Sequence, residues 1–333
     1  MQSFKKQKIN NFGVGFLFIL CFCAFSLLLS SCVSNFGFEK INNEQEQKIR
    51  IIATLFPQYD FAKKIFKDKA QVTLLLPPGT ESHSFDPSPS DIKKVYSCDF
   101  FIYTGKHMEP WSEKIVSSLK NTKTKSIDVS KGIEFRKNCK ECNQNNKAHS
   151  HSHAECHNYD PHIWLDPTLA VKIVDNILEK AIENKPQYES FFIENAEELK
   201  KELASIDEEF ESLFCKAKEK KIVFVGRFAH YYFVNRYQIE YKSAFKGCFA
   251  GAEPSSKKLL KIINYVKENK LSCIYYEELN EPKIAKYISE QTGAELLRFS
   301  TCHNLTKEEF ENEITYLDIM KQNMQNLKKG LKF

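Results

Sequence analysis

Residues 72–103 read VTLLLPPGTESHSFDPSPSDIKKVYSCDFFIY. The apolar run Val72–Leu76 is strand-length and is ended by Pro-Pro-Gly, which reads as a buried strand followed by a turn. Ser88-Pro-Ser-Asp91 is a helix start, with serine as the cap and proline at the first helical position, so a helix is expected near Pro89–Tyr96. Phe100–Tyr103 supplies the next strand. Upstream, Ile51–Leu55 is another strand, separated from Val72 by the helical stretch Tyr59–Phe66. This alternation implies a parallel sheet covered by helices. In such sheets ligands bind beyond the carboxyl ends of the strands, and the loop after Leu76 puts His83 at one.

The same alternation returns later. Lys221–Val225, Ser272–Tyr276 and Glu295–Phe299 read as strands, Pro254–Asn269 and Glu281–Thr292 as helices, and Leu305–Leu331 as a long terminal helix. Between the two halves, Tyr188–Lys220 contains neither Gly nor Pro. Its Phe192, Leu199, Leu203, Ile206, Phe210 and Leu213 form one apolar stripe at helical spacing. At ~1.5 Å per residue such a helix spans roughly 50 Å, the length of two lobes. The expected fold is α/β: two lobes, each with a mostly parallel sheet flanked by helices, joined by one long rigid helix. The expected bounds are 49–185 for the first lobe, 186–220 for the helix and 221–333 for the second lobe.

Residues 1–32 stand apart. Lys5, Lys6 and Lys8 precede an almost wholly apolar run, Val14–Leu29, and Leu29-Ser-Ser-Cys32 closes it in the pattern of a bacterial lipobox. That order reads as a lipoprotein signal peptide, with Cys32 the lipidated residue. Residues 33–48 are polar and serve as a tether, which places the body of the protein outside the cytoplasm, at a membrane surface. The three lysines before Val14 account for three of the formal charge of +5. The remaining chain is nearly neutral, which argues against nucleic acid as a partner. Eight cysteines follow Cys32. An even number permits disulfides in an exported chain but does not reveal their pairing. Cys139-Lys-Glu-Cys142 has the spacing of a zinc knuckle without the second pair that would complete one.

Metal chemistry is concentrated at residues 149–167, HSHSHAECHNYDPHIWLDP. Imidazole, thiolate and carboxylate are the groups that bind borderline-soft divalent cations. As far as His157 the stretch is polar and without periodicity. From Asp160 onward, Ile, Trp and Leu can hold His162 in a core. A rigid ligand beside a tract of ligands (His149, His151, His153 and His157, within a loop at 138–157) suggests a metal site with an accessory collecting loop.

Residues 77–111 and the segment DPHIWLDP resemble the solute-binding lipoproteins of zinc/manganese ABC importers (the ZnuA/TroA-like family), in a divergent zinc-type branch. The resemblance implies two α/β lobes with a cation held between them, and its first two ligands fall on His83 and His162. A His-rich insert before the second ligand is typical of zinc-preferring members. Glu109 and Trp111 match a segment taken as structural, as does His107, and Ala252-Glu253-Pro-Ser-Ser256 resembles the family's Glu-Pro-Ser turn. The usual third and fourth ligands do not carry over: their positions hold Arg227, which stays protonated, and Ser300. Each is followed three residues on by a histidine, His230 and His303. His303, in a loop after a strand, is the favoured third ligand, and His230 is left open. Glu277, Glu278 and Glu81 are the carboxylate candidates, and Arg227 is expected to pair with Glu277, Glu278 or Glu253. Three histidines with a carboxylate or water suit tetrahedral zinc.

The expected function is capture of Zn2+ and its delivery to the membrane permease of an ABC importer. The chain would act as a monomer tied to the membrane by lipid, without catalysis. Mn2+ is the alternative cargo, although manganese leans on oxygen ligands. A surface adhesin and a metallohydrolase are the readings from other classes.

Overall fold

The structure, a computed structural model, describes residues 47–136, 159–245, 253–279 and 282–333. The first lobe runs β1 (Ile49–Ala53), α1 (Phe56–Phe66), β2 (Ala70–Leu74), α2 (Pro89–Ser97), β3 (Phe100–Tyr103), α3 (Ser112–Leu119) and β4 (Lys125–Asp128). Its four strands are parallel in the order β2-β1-β3-β4. Ile51 faces the main core, while Ile52 and Phe101 turn to the opposite face and meet Val95 of α2 and Ile115 of α3. A sheet covered on both faces needs apolar residues at successive positions, hence runs such as Phe100-Phe-Ile rather than an alternating pattern. The helix starts are explicit in sequence. Ser88 accepts from Asp91 N–H with Pro89 in the first turn of α2, and Leu55 precedes the Phe56-Pro57 start of α1.

After α4 (Pro167–Asn184) and one tight turn at Pro186–Tyr188 comes α5 (Glu189–Lys216), the long helix. Its 28 residues extend ~42 Å. Phe192, Leu199, Leu203, Ile206, Phe210 and Leu213 are its buried stripe, as expected. The helix ends at Lys216 rather than Lys220, because the chain must straighten into β5 (Lys221–Phe224).

The second lobe continues through α6 (Tyr231–Arg236), β6 (Glu240–Ser243), α7 (Ser256–Glu268), β7 (Cys273–Tyr276), α8 (Lys283–Thr292), β8 (Glu295–Arg298), α9 (Lys307–Glu311) and α10 (Tyr316–Gly330). Its order, β6-β5-β7-β8, repeats the first lobe's, again all parallel. One apolar core runs from Phe61 and Trp164 along α5 to Phe210, Phe233 and Tyr316. Phe210 meets Phe233 edge-on at 4.9 Å, and at the other end Asn195 Nδ2 donates to Ile65 O of α1. Each buried side chain of this size contributes about 1.5–3 kcal/mol, so α5 is bound to both lobes along its length.

The single terminal helix expected over Leu305–Leu331 is instead two helices. Glu313 adopts φ +54, which ends α9, and Thr315 caps a new helix at Asp318 N–H. Asp60 Oδ2 of the first lobe takes the Tyr316 N–H at 3.2 Å, fixing the new start. Among the described residues no helix is long and apolar enough to cross a membrane, and Cys98, Cys215, Cys273 and Cys302 are free thiols.

Glu109 joins the carboxyl ends of β1 and β3. Its carboxylate accepts the Thr54 hydroxyl and Thr104 N–H, and Gln58 of α1 bonds both threonines. Burial pushes the Glu109 carboxyl up to about 8. A carboxyl raised on folding binds more protons folded than unfolded, so its share of stability is complete at low pH and is lost as pH climbs through about 8. Asp60, raised by burial to about 6, has finished titrating by then. Urea midpoints are therefore expected to fall between about pH 7 and about pH 8, and Glu109→Gln to flatten that slope. An unchanged slope would remove Glu109 as its source.

Candidate metal centre

The site groups sit at the carboxyl ends of strands from both sheets. His83 follows β2, His162 follows β4, Arg227 follows β5, Glu277 and Glu278 follow β7, and His303 follows β8. The two sheets therefore supply one site from opposite sides, as parallel α/β sheets do.

His83, His162 and His303 converge. One ring nitrogen from each lies within 4.8 Å of the others. The His83 ring stands 5.4 Å from His162 and 5.1 Å from His303, both edge-on. Nε2 of His162 and Nε2 of His303 are 2.6 Å apart. His162 and His303 are buried, and His83 is at the edge of a small cavity also lined by Glu81, Arg227 and Glu277.

Neighbours determine which nitrogen each ring presents. Asp160 Oδ1 takes His162 Nδ1–H at 2.6 Å and His162 N–H at 2.9 Å. A carboxylate only accepts, so His162 Nδ1 carries a proton and Nε2 is the nitrogen presented to the site. On the other side Thr301 bridges Glu278 and His303 Nδ1 through its hydroxyl, and its N–H donates to Glu278 Oε2 at 2.7 Å. A hydroxyl has one proton. Given to Glu278, it obliges Thr301 to accept from His303 Nδ1–H, which leaves Nε2 as the free lone pair. Burial, with His162, His83 and His230 around it, holds the His303 imidazole well below the usual histidine range, and therefore neutral. Nε2 of His162 and Nε2 of His303 thus face each other at hydrogen-bond distance, where both can serve as ligands to one cation. Trp164 braces the pair: its Nε1–H donates to Thr301 O at 2.9 Å, and its ring packs against both imidazoles.

The other expected site residues fall elsewhere. His230 is fully buried, stacked on Phe299 at 3.9 Å, with Nε2 against Ser300 O. Burial lowers it to about 3, and it stands outside the histidine group because α6 begins right after it and turns the ring into the core. Glu277 and Glu278 are also outside that group. Glu278 is engaged by Thr301, and Glu277 Oε2 accepts the Arg227 N–H at 3.2 Å. Glu81 does not offer a free carboxylate either: it bonds His83 N–H and the Arg227 guanidinium. The side-chain partner of Arg227 is thus Glu81, not Glu277, Glu278 or Glu253. His107 packs between Phe135 and Tyr159, and Glu109 lies in the buried network described above. His149, His151, His153, His157 and Cys32 lie outside the described residues, as do Cys139 and Cys142.

Asp160 and Thr301 have orienting roles that no sequence argument assigned. Both leave a signal. Glu81, Asp160 and Thr301 each precede a clustered histidine by two residues, and each bonds it.

Residues 51–330 match the family described as "Zinc-uptake complex component A periplasmic" (ZnuA). The high-affinity zinc uptake system protein ZnuA of Bacillus subtilis (strain 168) is 31% identical over 315 residues, covering 95% of this chain and 97% of that one. The zinc-binding lipoprotein AdcA of Streptococcus pneumoniae (strain ATCC BAA-255 / R6) is 31% identical over 91% of this chain, which spans 60% of that protein's length. The Zn(II)-bound ZnuA-like domain of S. pneumoniae AdcA superposes with a TM-score of 0.71 at 28% identity, covering 86% of this chain and all of that one. The laminin-binding protein Lmb of Streptococcus agalactiae, described as bifunctional with adhesin and metal-transporting activity, superposes at 0.73 with 26% identity, covering 86% of this chain and all of that one.

The Thr301 bridge yields a direct expectation. Thr301→Val, which keeps the shape and removes the hydroxyl, should weaken zinc binding by about 10–100-fold, as loss of a group orienting a ligand does. Thr301→Ser should restore it. Equal affinity in both variants, by competition with a fluorescent chelator, would show that the bridge does not orient His303.

Proposed function

The chain belongs to the ZnuA family of zinc-uptake components, and from that premise we propose that it captures Zn2+ outside the cytoplasm and hands it to the permease of an ABC importer. The observation that carries this reading is the meeting of His83, His162 and His303 between two lobes. Three imidazoles, with one position left for water or the Glu277 carboxylate, make a tetrahedral nitrogen-rich set that suits zinc better than manganese. Buried, oriented lone pairs give affinity, and ligands divided between lobes give a route to release by lobe separation.

Capture and release need no bond to be made or broken in a substrate, so no catalytic residue is invoked. A hydrolytic reading, which would use Glu277 or Glu278 as a base, draws little support from carboxylates already engaged by Arg227 N–H and by Thr301. We further propose that Cys32 bears the lipid anchor, that residues 33–48 form the tether, that the chain acts as a monomer, and that the histidines of 138–157 feed the site. Surface adhesion is a second reading, favoured by the likeness to Lmb. Laminin capture that persists under chelation would support it.

Calorimetric titration with zinc tests the main reading. A chain lacking 138–157 should keep one tight site, whereas His83→Ala and His303→Ala should each lose it. Tight binding that vanishes with 138–157 and ignores His303 would place the cargo site in the loop.

A further inference from the structure

The loop that carries His83 belongs to the first lobe, yet the second lobe holds it at both ends. Pro77–Thr80 is a type II turn closed by Thr80 N–H on Pro77 O, with Gly79 at φ +83, a conformation that side-chain-bearing residues rarely take. Asn304 Nδ2, next to His303, donates to Pro77 O at 2.8 Å and Thr80 O at 3.0 Å, and Gly79 N–H donates to Leu305 O at 2.7 Å. At the other end the Glu81 carboxylate is divided. Oε1 accepts His83 N–H at 3.1 Å, and Oε2 accepts Arg227 Nη1 at 3.1 Å. Arg227 is itself fixed, because its N–H is given to Glu277.

An arginine offers no lone pair to a cation and carries a like charge. Its place beside the histidine group therefore has to be explained through what it touches. We propose that Arg227 is a positioning residue: by gripping Glu81 across the cleft it sets His83 against His162 and His303, and so governs how long the cation stays. The inference rests on the three-histidine reading above. While the pair holds, the Glu81 oxygen that bonds His83 N–H is fixed, and His83 stays aligned. When the lobes part, the pair breaks, the loop relaxes and one ligand is withdrawn.

The ion pair is partly open to water, with side-chain exposures of 30% for Arg227 and 28% for Glu81. Added salt therefore weakens it, which a merely structural contact would not show. Zinc release from the full chain is followed by stopped-flow mixing with a strong chelator at low and high salt. Wild-type release should quicken with salt. Arg227→Ala and Glu81→Gln should each release zinc about tenfold faster at low salt, on the scale known for groups that orient ligands, and should lose the salt dependence. Glu81→Gln retains an oxygen for His83 N–H, so it isolates the charge. The double variant should be no faster than either single one, as expected of two residues acting as a unit. Arg227→Lys should recover part of the effect, and with Glu81→Gln it carries the test if Arg227→Ala fails to fold. Wild-type release rates in Glu81→Gln and Arg227→Lys, or effects that multiply in the double variant, would overturn the proposal. If His83→Ala keeps the tight site, the three-histidine reading fails and this inference falls with it. If His83→Ala loses the site while Arg227→Ala and Glu81→Gln behave as wild type, this inference alone fails.

Discussion

Nε2 of His162 and Nε2 of His303 stand 2.6 Å apart, and much of the surrounding structure serves to hold them so. Left to themselves two imidazoles would rotate. That freedom is closed here. Asp160 fixes one ring through Nδ1, the Glu278–Thr301 pair fixes the other, and Trp164 fills the space behind both. Burial that keeps His303 neutral also removes the water that would otherwise solvate these nitrogens. What remains is a pair of ring nitrogens directed at one point, with His83 completing the set from the cavity edge.

This arrangement places a demand on the fold, since His83 and His162 come from one sheet and His303 from the other. Parallel sheets direct their functional loops to one edge, and two such sheets must be held edge towards edge for the loops to meet. The continuous core along α5 does this, burying Phe192 against the first lobe and Phe210 against the second. Direct bonds across the cleft, from Asn304 to Pro77 and Thr80 and from Phe56 N–H to His303 O, adjust the loops on that frame. Rigid support and loose crossing contacts are what a carrier needs, because cargo bound between lobes leaves when the lobes separate.

Most of the frame was legible in the sequence because buried parallel strands are short apolar runs and α5 has a long stripe. Phe100–Tyr103 lies where its residues predicted. The edge strands β4 (Lys-Ser-Ile-Asp) and β6 (Glu-Tyr-Lys-Ser) were not legible: each is half exposed and polar, so neither has an apolar run. The break between α9 and α10 depends on Asp60, far away in the chain, receiving Tyr316 N–H. At the site, His230 and His303 share one spacing, each three residues beyond a position without a ligand, and the loop after a strand favoured His303 while His230 stayed open. The fold decides His230, with α6 carrying it into the core and a loop leaving His303 in the cleft. The partner of Arg227 was likewise hidden, since Glu81 lies 146 residues away in the opposite lobe.

The most direct test of three imidazoles around one cation is zinc K-edge X-ray absorption on the protein loaded with a single equivalent of zinc. The first shell should contain only nitrogen and oxygen at about 2.0–2.1 Å, with outer-shell scattering that requires three imidazole rings. A sulfur shell at about 2.3 Å, or scattering from a single ring, would contradict the account and move the cargo site to the cysteine- and histidine-rich segment.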